Sequence, residues 1–371
     1  MSNSSSRFNK VYLNVLERLL SEKKFLLFIS ISFIAAALVS GNWRLSMWFG
    51  FIYTAYAAVA NDSIQTLGTF IESNGHRKWW LLWLYTGGIL LVTLTFSYIY
   101  YDGDVTYQRL LKNGVTKYPH PTEFSYFQLI APIVLIMLTR MRMPVSTTFL
   151  LLSVFSADTS GITKVIGKSL TGYVLAFAVS FLVWLLAYRA ISKYFSSRSV
   201  HPAWTVVKWI VSGALWSVWI MQDGANIAVY LPRKLELYQF IIFSGTIFLG
   251  MALLFYLRGD KIQGVVSEKT RVGDMRAATL IDFTYVLLLI YKLFISTVPL
   301  STTWVFLGII GGREIAIGLA RKKVGALHKV KALKIIGKDF LYAMIGLFIS
   351  LALALGANPS IREEIAKSLG F

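Results

Sequence analysis

The sequence predicts an all-α integral membrane protein of about eleven transmembrane segments, in two inverted-topology repeats with broken helices meeting at the midplane. Three observations carry that expectation. Of 371 residues, 56% are hydrophobic and only 15% charged, with a mean hydropathy of +0.61; a soluble chain carries roughly 25% charged residues. Apolar runs recur along the whole chain, most near the ~20 residues a bilayer requires. Finally, one stretch is written twice, as Pro144-Val145-Ser146-Thr147-Thr148 and Pro299-Leu300-Ser301-Thr302-Thr303, each time ahead of an apolar run.

Taken in order, the chain opens with a polar, basic stretch containing an amphipathic segment over 11–20. No small-residue cleavage site follows the first apolar run, so a retained membrane segment is expected, not a signal peptide. Apolar segments follow near 25–40, 45–70, 79–101, 125–138, 144–160 and 169–188. They continue near 204–230, 237–257, 277–296, 299–319 and 340–355. Residues 1–43 then form the N-terminal stretch and an extra first segment, 44–190 the first repeat, 203–357 the second, and 358–371 a short polar tail.

The net charge of +19 might suggest nucleic acid, but lysines and arginines lie between the apolar runs, as the positive-inside rule requires. With the N-terminus cytoplasmic and every segment crossing, the basic connections fall on one side. They hold Arg77 and Lys78; Arg140 and Arg142; Arg189, Lys193 and Arg198; and the stretches 258–276 and 321–338. The run 321–338 is read first as enforcing topology, with contact to anionic lipid headgroups as its functional alternative, and no nucleic-acid partner is expected. The plasma membrane is the expected location. Cysteine is absent, which removes thiol nucleophiles and cysteine-ligated metals.

With that topology the segment after Pro144 and the segment after Pro299 run in opposite directions. A second pair obeys the same symmetry: Ala60-Asn61-Asp62 and Gly224-Ala225-Asn226 lie in oppositely directed segments. Inverted repeats of this kind are characteristic of secondary transporters. A proline followed by small hydroxyl residues reads as a helix start, with free N–H groups and hydroxyl donors that suit an anion. Asp62 stands inside an apolar segment beside Asn61, Ser63, Gln65 and Thr66. An intramembrane carboxylate marks a partner or a pathway, and oxygen ligands around an unwound helix suit Na⁺, with proton exchange on Asp62 as the alternative. Capping and packing account for the same Ser and Thr residues if the repeat is set aside. Arg313 and Glu314 form a buried pair or line a pathway, Asp282 and Lys292 are too far apart along their helix to pair, and the four histidines, all in connections, show no metal spacing.

The stretch Ala60-Asn61-Asp62-Ser63-Ile64-Gln65-Thr66-Leu67-Gly68-Thr69 resembles the Gly-Ala-Asn-Asp motif region of the inorganic phosphate transporter (PiT) family. The paired Pro-x-Ser-Thr-Thr elements and Gly224-Ala225-Asn226 are similar to that family's other motifs, in the same order, from about residue 59 to 319. The resemblance implies an inverted-repeat symporter for inorganic phosphate, coupled to Na⁺ or H⁺, with sulfate carried by some relatives. It implies that Ser146, Thr147, Thr148, Ser301, Thr302 and Thr303, with Asn61 and Asn226, hold the oxyanion. It also implies that Asn61, Asp62, Gln65 and Asn226 take the cation, with sodium at Asp62. The chain departs from the pattern at Val59, Gln65, Ile227 and Tyr230. Ile227 stands where the family has an aspartate, which leaves Na⁺ against H⁺ open; Asp223, one turn before Asn226, could substitute.

The expected function is therefore a phosphate symporter working by alternating access, with no cofactor and no catalytic residues, as a monomer or a homodimer. A sulfate permease of the same architecture, a passive anion channel and a membrane-embedded enzyme acting on a phosphorylated lipid are the alternatives. The enzyme would need a clustered acid/base or metal constellation.

Overall fold

In the computed structural model, residues 22–112, 115–116, 118, 120–141, 143, 145–156, 159–195, 200–257, 274–295, 301–320 and 326–368 are described. The amphipathic stretch 11–20, Pro144, Pro299, Arg142, Arg198 and most of the basic stretch 258–276 lie outside them. So do Arg321, Lys322 and Lys323.

The chain is built from helices: α1 (Lys23–Val39), α2 (Trp43–Ser73), α3 (Trp79–Tyr100), α4 (Tyr126–Arg140), α5 (Thr147–Leu152), α6 (Thr159–Phe195) and α7 (Ala203–Ala228). They continue as α8 (Leu237–Tyr256), α9 (Met275–Ile295), α10 (Thr302–Ala320), α11 (Ala326–Ala357) and α12 (Pro359–Ser368). A minimal antiparallel hairpin, β1 (Leu111–Lys112) with β2 (Val115–Thr116), sits in the connection between α3 and α4. Local chemistry sets several starts. The Asn42 side chain accepts the Leu45 N–H at 3.0 Å ahead of α2, and Ser125 and Gln128 form a reciprocal capping box ahead of α4.

Among the described residues seven helical stretches are long and apolar enough to cross a membrane: Trp79–Tyr100, Thr159–Tyr188, Ala203–Ala228, Leu237–Tyr256, Met275–Ile295, Thr302–Ala320 and Ile336–Ala357. Their outer faces carry large apolar side chains such as Ile99, Leu186 and Phe294, the last 83% exposed. Surface of that kind belongs against lipid, and the molecule is an α-helical membrane protein. The other four expected segments differ for identifiable reasons. Helix α1 has 17 residues and α4 has 15. Helix α2 is long enough at 31 residues, but its polar residues from Asn61 to Thr69 lower its hydropathy.

The segment expected over 144–160 is not one spanning helix. It is the six-residue α5, a 3₁₀ turn at Ser153–Phe155 and a break before α6. Helix α6 starts ten residues earlier than expected, at Thr159 instead of 169. Most of the basic stretch 321–338 is helical, forming the start of α11, and most of the polar tail 358–371 forms α12.

Helix directions follow from the contacts. Ser169 accepts the Ser301 N–H at 2.8 Å, Ser180 donates to the Ile309 carbonyl at 2.7 Å, and Arg313 stacks over Trp184 at 5.1 Å. Contacts that climb both helices together make α6 and α10 parallel. Their close approach needs Gly308 and Gly312, since a Cβ on Gly308 would lie 3.1 Å from the Phe177 nitrogen and one on Gly312 would lie 2.9 Å from that of Phe181. Small residues four apart allow backbones to meet in this way. Helices α7 and α9 are also parallel, joined by Ser212 to Asp282 and by Gln222 to the Leu289 carbonyl.

Candidate functional site

The repeated Ser-Thr-Thr residues lie in the protein interior, where α5 and α10 begin. Each helix is capped by its own serine: Ser146 accepts the Phe149 N–H at 3.1 Å and Ser301 accepts the Trp304 N–H at 3.2 Å. The helices therefore start at Thr147 and Thr302, with the serine as cap, rather than at the prolines. Phe149 and Trp304, each three residues beyond its serine, meet edge to face at 5.4 Å. The two starts are thus packed against each other, and the helices leave in opposite directions. The far end of α5 meets Gln128, at the start of α4, and Asn358, beyond the end of α11. Helix α10 instead follows α6 away from that end.

Two matching clusters surround the junction. In the first, Asn61 Nδ2 donates to Asp62 Oδ1 (2.7 Å), Thr147 Oγ1 (2.9 Å) and the Val145 carbonyl (3.0 Å). Thr147 Oγ1 itself donates to Asp62 Oδ1 at 2.8 Å. In the second, Asn226 Nδ2 donates to Asp223 Oδ1 (2.8 Å) and Thr148 Oγ1 (3.1 Å), while Thr302 Oγ1 donates to Asp223 Oδ2 (2.7 Å). The clusters share a seam: the Val145 carbonyl accepts from Asn61 and also from Thr303 (3.2 Å). Tyr285 of α9 closes the far side by donating to the Thr302 carbonyl at 2.8 Å. Asn61, Asp62, Asp223, Asn226 and the six Ser and Thr residues are all buried.

The structure thus brings every expected site residue to this region, with Gln65 one turn along α2 from Asn61. It also adds Asp223 as the centre of the second cluster. The expected unwinding at Asp62 does not occur. Helix α2 is continuous there, with Ser63 bonded back to the Val59 carbonyl and Thr66 to that of Asp62 (2.9 Å). Backbone carbonyls of this turn are spent within the helix, so cation ligands must come from side chains.

Among the described residues four buried side-chain oxygens lack a hydrogen-bond partner: Asp62 Oδ2, Gln65 Oε1 and Asn226 Oδ1, and, further back on α2, Thr54 Oγ1. Orphaned buried acceptors each cost about 1–3 kcal/mol, and Asp62 and Asn226 each belong to one of the two clusters. Among the described residues no group of three or more His, Cys, Asp or Glu side chains could hold a metal ion. The anion half of the expectation changes more. Helix α5 is a six-residue helix with little dipole to offer, and the hydroxyls of Thr147, Thr148 and Thr302 point at the protein's own carboxylates.

A second polar cluster lies along the same helices. Asp282 of α9 accepts from Thr69 (2.6 Å), Lys208 (2.7 Å) and Ser212 (2.7 Å), and Lys208 also reaches Thr69 at 3.0 Å. Lys208 is 0% exposed. Asp282 does find a lysine, on α7 rather than on its own helix. A lysine inside the apolar run 204–230 was the readable signal for it. Arg313 and Glu314 form the expected pair at 2.7 Å.

No protein-family model, curated protein or solved structure matches the chain.

Proposed function

We propose that this chain is a cation-coupled secondary transporter of inorganic phosphate or a related tetrahedral oxyanion, of PiT type. In this reading it is built from inverted repeats over 44–190 and 203–357 and works in the plasma membrane with its N-terminus cytoplasmic. One observation carries the reading: two Asn–Asp–Thr clusters, contributed by α2 with α5 and by α7 with α5 and α10, meet at a buried junction of oppositely directed helices. Site construction at a repeat interface from interrupted helices is what alternating access requires.

The geometry supplies a coupling mechanism. Asp62 and Asp223, held by the adjacent hydroxyls of Thr147 and Thr148, would repel an incoming anion, and they engage the hydroxyls that would bind it. A cation placed among Asp62, Gln65 and Asn226 neutralises that charge. Thr148 and Thr302 can then turn from Asp223 to the oxyanion. Anion binding in the absence of the cation is penalised twice, once by repulsion and once by engaged donors, so the two solutes move together.

Phosphate uptake into proteoliposomes, with and without an inward Na⁺ gradient and with sulfate as competitor, tests this. Na⁺-dependent uptake that resists sulfate supports a phosphate symporter. Uptake driven only by a pH gradient moves the coupling to protons, and full competition by sulfate moves the substrate. Transport of neither anion removes the reading and returns attention to an enzyme acting on a phosphorylated lipid.

A further inference from the structure

Helix α1 begins over a groove between α2, α4 and α8. Phe25 of α1, Tyr56 of α2, Ile136 and Arg140 of α4, and Gly250 and Leu254 of α8 line a cavity of about 110 Å³ there. Apolar cavities of that order stay dry and accept apolar guests. The room is built into the helix, since a Cβ on Gly250 would meet nothing within 4 Å. Nor is the groove sealed. Tyr56, Leu253 and Leu257 on its walls are each about half exposed, so it opens sideways onto the surface that faces lipid.

One end of the groove is basic. Arg140 is the last residue of α4, Leu257 caps α8 and Phe25 lies in the first turn of α1, so three helix ends meet at this mouth. Arg140 Nη2 donates to Glu22 Oε2 at 2.8 Å, and its guanidinium lies over the Phe25 ring, 5.2 Å from the centre. Lys23 and Lys24, both exposed, stand between Glu22 and Phe25. Among the described residues of this turn and Arg140, three cations thus face one carboxylate. Gly250 lies about 10 Å deeper than Leu257 along α8. On the α2 and α4 walls, Ala60 adjoins Asn61, and Thr139 donates to Asn61 Oδ1 at 3.3 Å.

We propose that the groove holds one acyl chain of an anionic phospholipid, with the lipid phosphate at the mouth formed by Arg140, Lys23 and Lys24. Apolar walls continuous with the lipid-facing surface admit a hydrocarbon chain directly from the bilayer. Guanidinium and ammonium groups at the mouth match an anionic headgroup. An inorganic oxyanion gains nothing from apolar walls, and a neutral apolar guest gains nothing from the charge. The bound chain packs against Ala60 and Thr139, beside the first cluster. Such a site needs only the membrane setting of the fold and stands whether or not the chain transports phosphate.

Native mass spectrometry of the purified, delipidated full chain tests this, with phosphatidylglycerol and phosphatidylcholine of identical acyl chains titrated separately. Each basic residue near an anionic headgroup contributes about fivefold, so with a net excess of two cations the first phosphatidylglycerol should bind about 10- to 30-fold tighter than the first phosphatidylcholine. Gly250→Leu fills the groove. Each methylene it expels costs about fourfold, so first-site binding of both lipids should weaken about tenfold or more. Lys23→Gln with Lys24→Gln should bring the two lipids within about threefold of each other, with phosphatidylcholine binding unchanged. Equal affinity of wild type for the two lipids, or no retained lipid, overturns the proposal. So does first-site binding by Gly250→Leu within about twofold of wild type, which would place the lipid on the outer surface or leave the groove to another segment of this chain. If Gly250→Leu is not monodisperse on size exclusion, the lysine variant, altered only at exposed positions, decides alone: retained preference for phosphatidylglycerol overturns the proposal and lost preference supports it.

Discussion

Replacing Lys208 by methionine should destabilise the protein by about 3–5 kcal/mol, and replacing Asp282 by leucine at the same time should recover most of the loss. Lys208 and Asp282 are 0% and 1% exposed and 2.7 Å apart. Without the lysine, Asp282 keeps only the hydroxyls of Thr69 and Ser212, at 2.6 and 2.7 Å. Breaking a buried pair by removing one partner costs about 3–5 kcal/mol. Removing both charges leaves an apolar pair of similar volume, which is often neutral or better. The assay is thermal unfolding in a mild detergent for wild type, both single variants and the double variant, analysed as a double-mutant cycle. A loss below about 1 kcal/mol would refute the reasoning: the pair would then have access to water and belong to a pathway rather than to a dry helix junction.

Three further outcomes are expected. Asp62→Asn and Asp223→Asn preserve shape and most hydrogen bonds while deleting charge, so each should abolish Na⁺-driven concentrative uptake in proteoliposomes with the melting temperature little changed; unaltered uptake would remove that residue from coupling. Gly312→Ala should destabilise by about 1–3 kcal/mol, because its Cβ would sit 2.9 Å from the Phe181 backbone nitrogen, whereas Gly318→Ala, with nothing within 4 Å, should be neutral or stabilising in the same melt. In the connection before α4, burial and the nearby Arg233 push His120 down to about 4. Its folded value lies below the unfolded value of about 6.5, so the neutral ring favours the fold above that pH and the contribution is lost as pH falls from 6.5 towards 4. His120→Phe should flatten that part of the stability profile, and an unchanged profile would place the acid sensitivity elsewhere.

Much of the site was written in the chain because it was written twice. The Ser-Thr-Thr copies located both helix starts, and Asn61 and Asn226 located the clusters beside them. Hydropathy located the helices that face lipid on one side, since a spanning helix must satisfy its backbone internally and show an apolar surface for about 20 residues. The same criterion misjudged 144–160. An apolar run can pack inside the protein as a short helix and a turn, and composition does not distinguish protein neighbours from lipid. Asp62 looked like a point of unwinding, yet Ser63 and Thr66 return their hydroxyls to the helix backbone and α2 passes through unbroken.

What the sequence alone determined is which residues are polar inside an apolar setting, because that cost is local and readable at each position. What only the tertiary structure decided is how they are partnered. Asp282 was weighed against Lys292 on its own helix and pairs instead with Lys208 on α7. Asp223 was a substitute for an absent family residue and became the acceptor for Thr148 and Thr302. Arg109 lay in a connection and ended up buried against the end of α9, next to a turn held by Asp104. Where no water reaches, each polar group must find its partner on another helix. Those partners lie tens to hundreds of residues away, brought together by helix packing that no local pattern encodes.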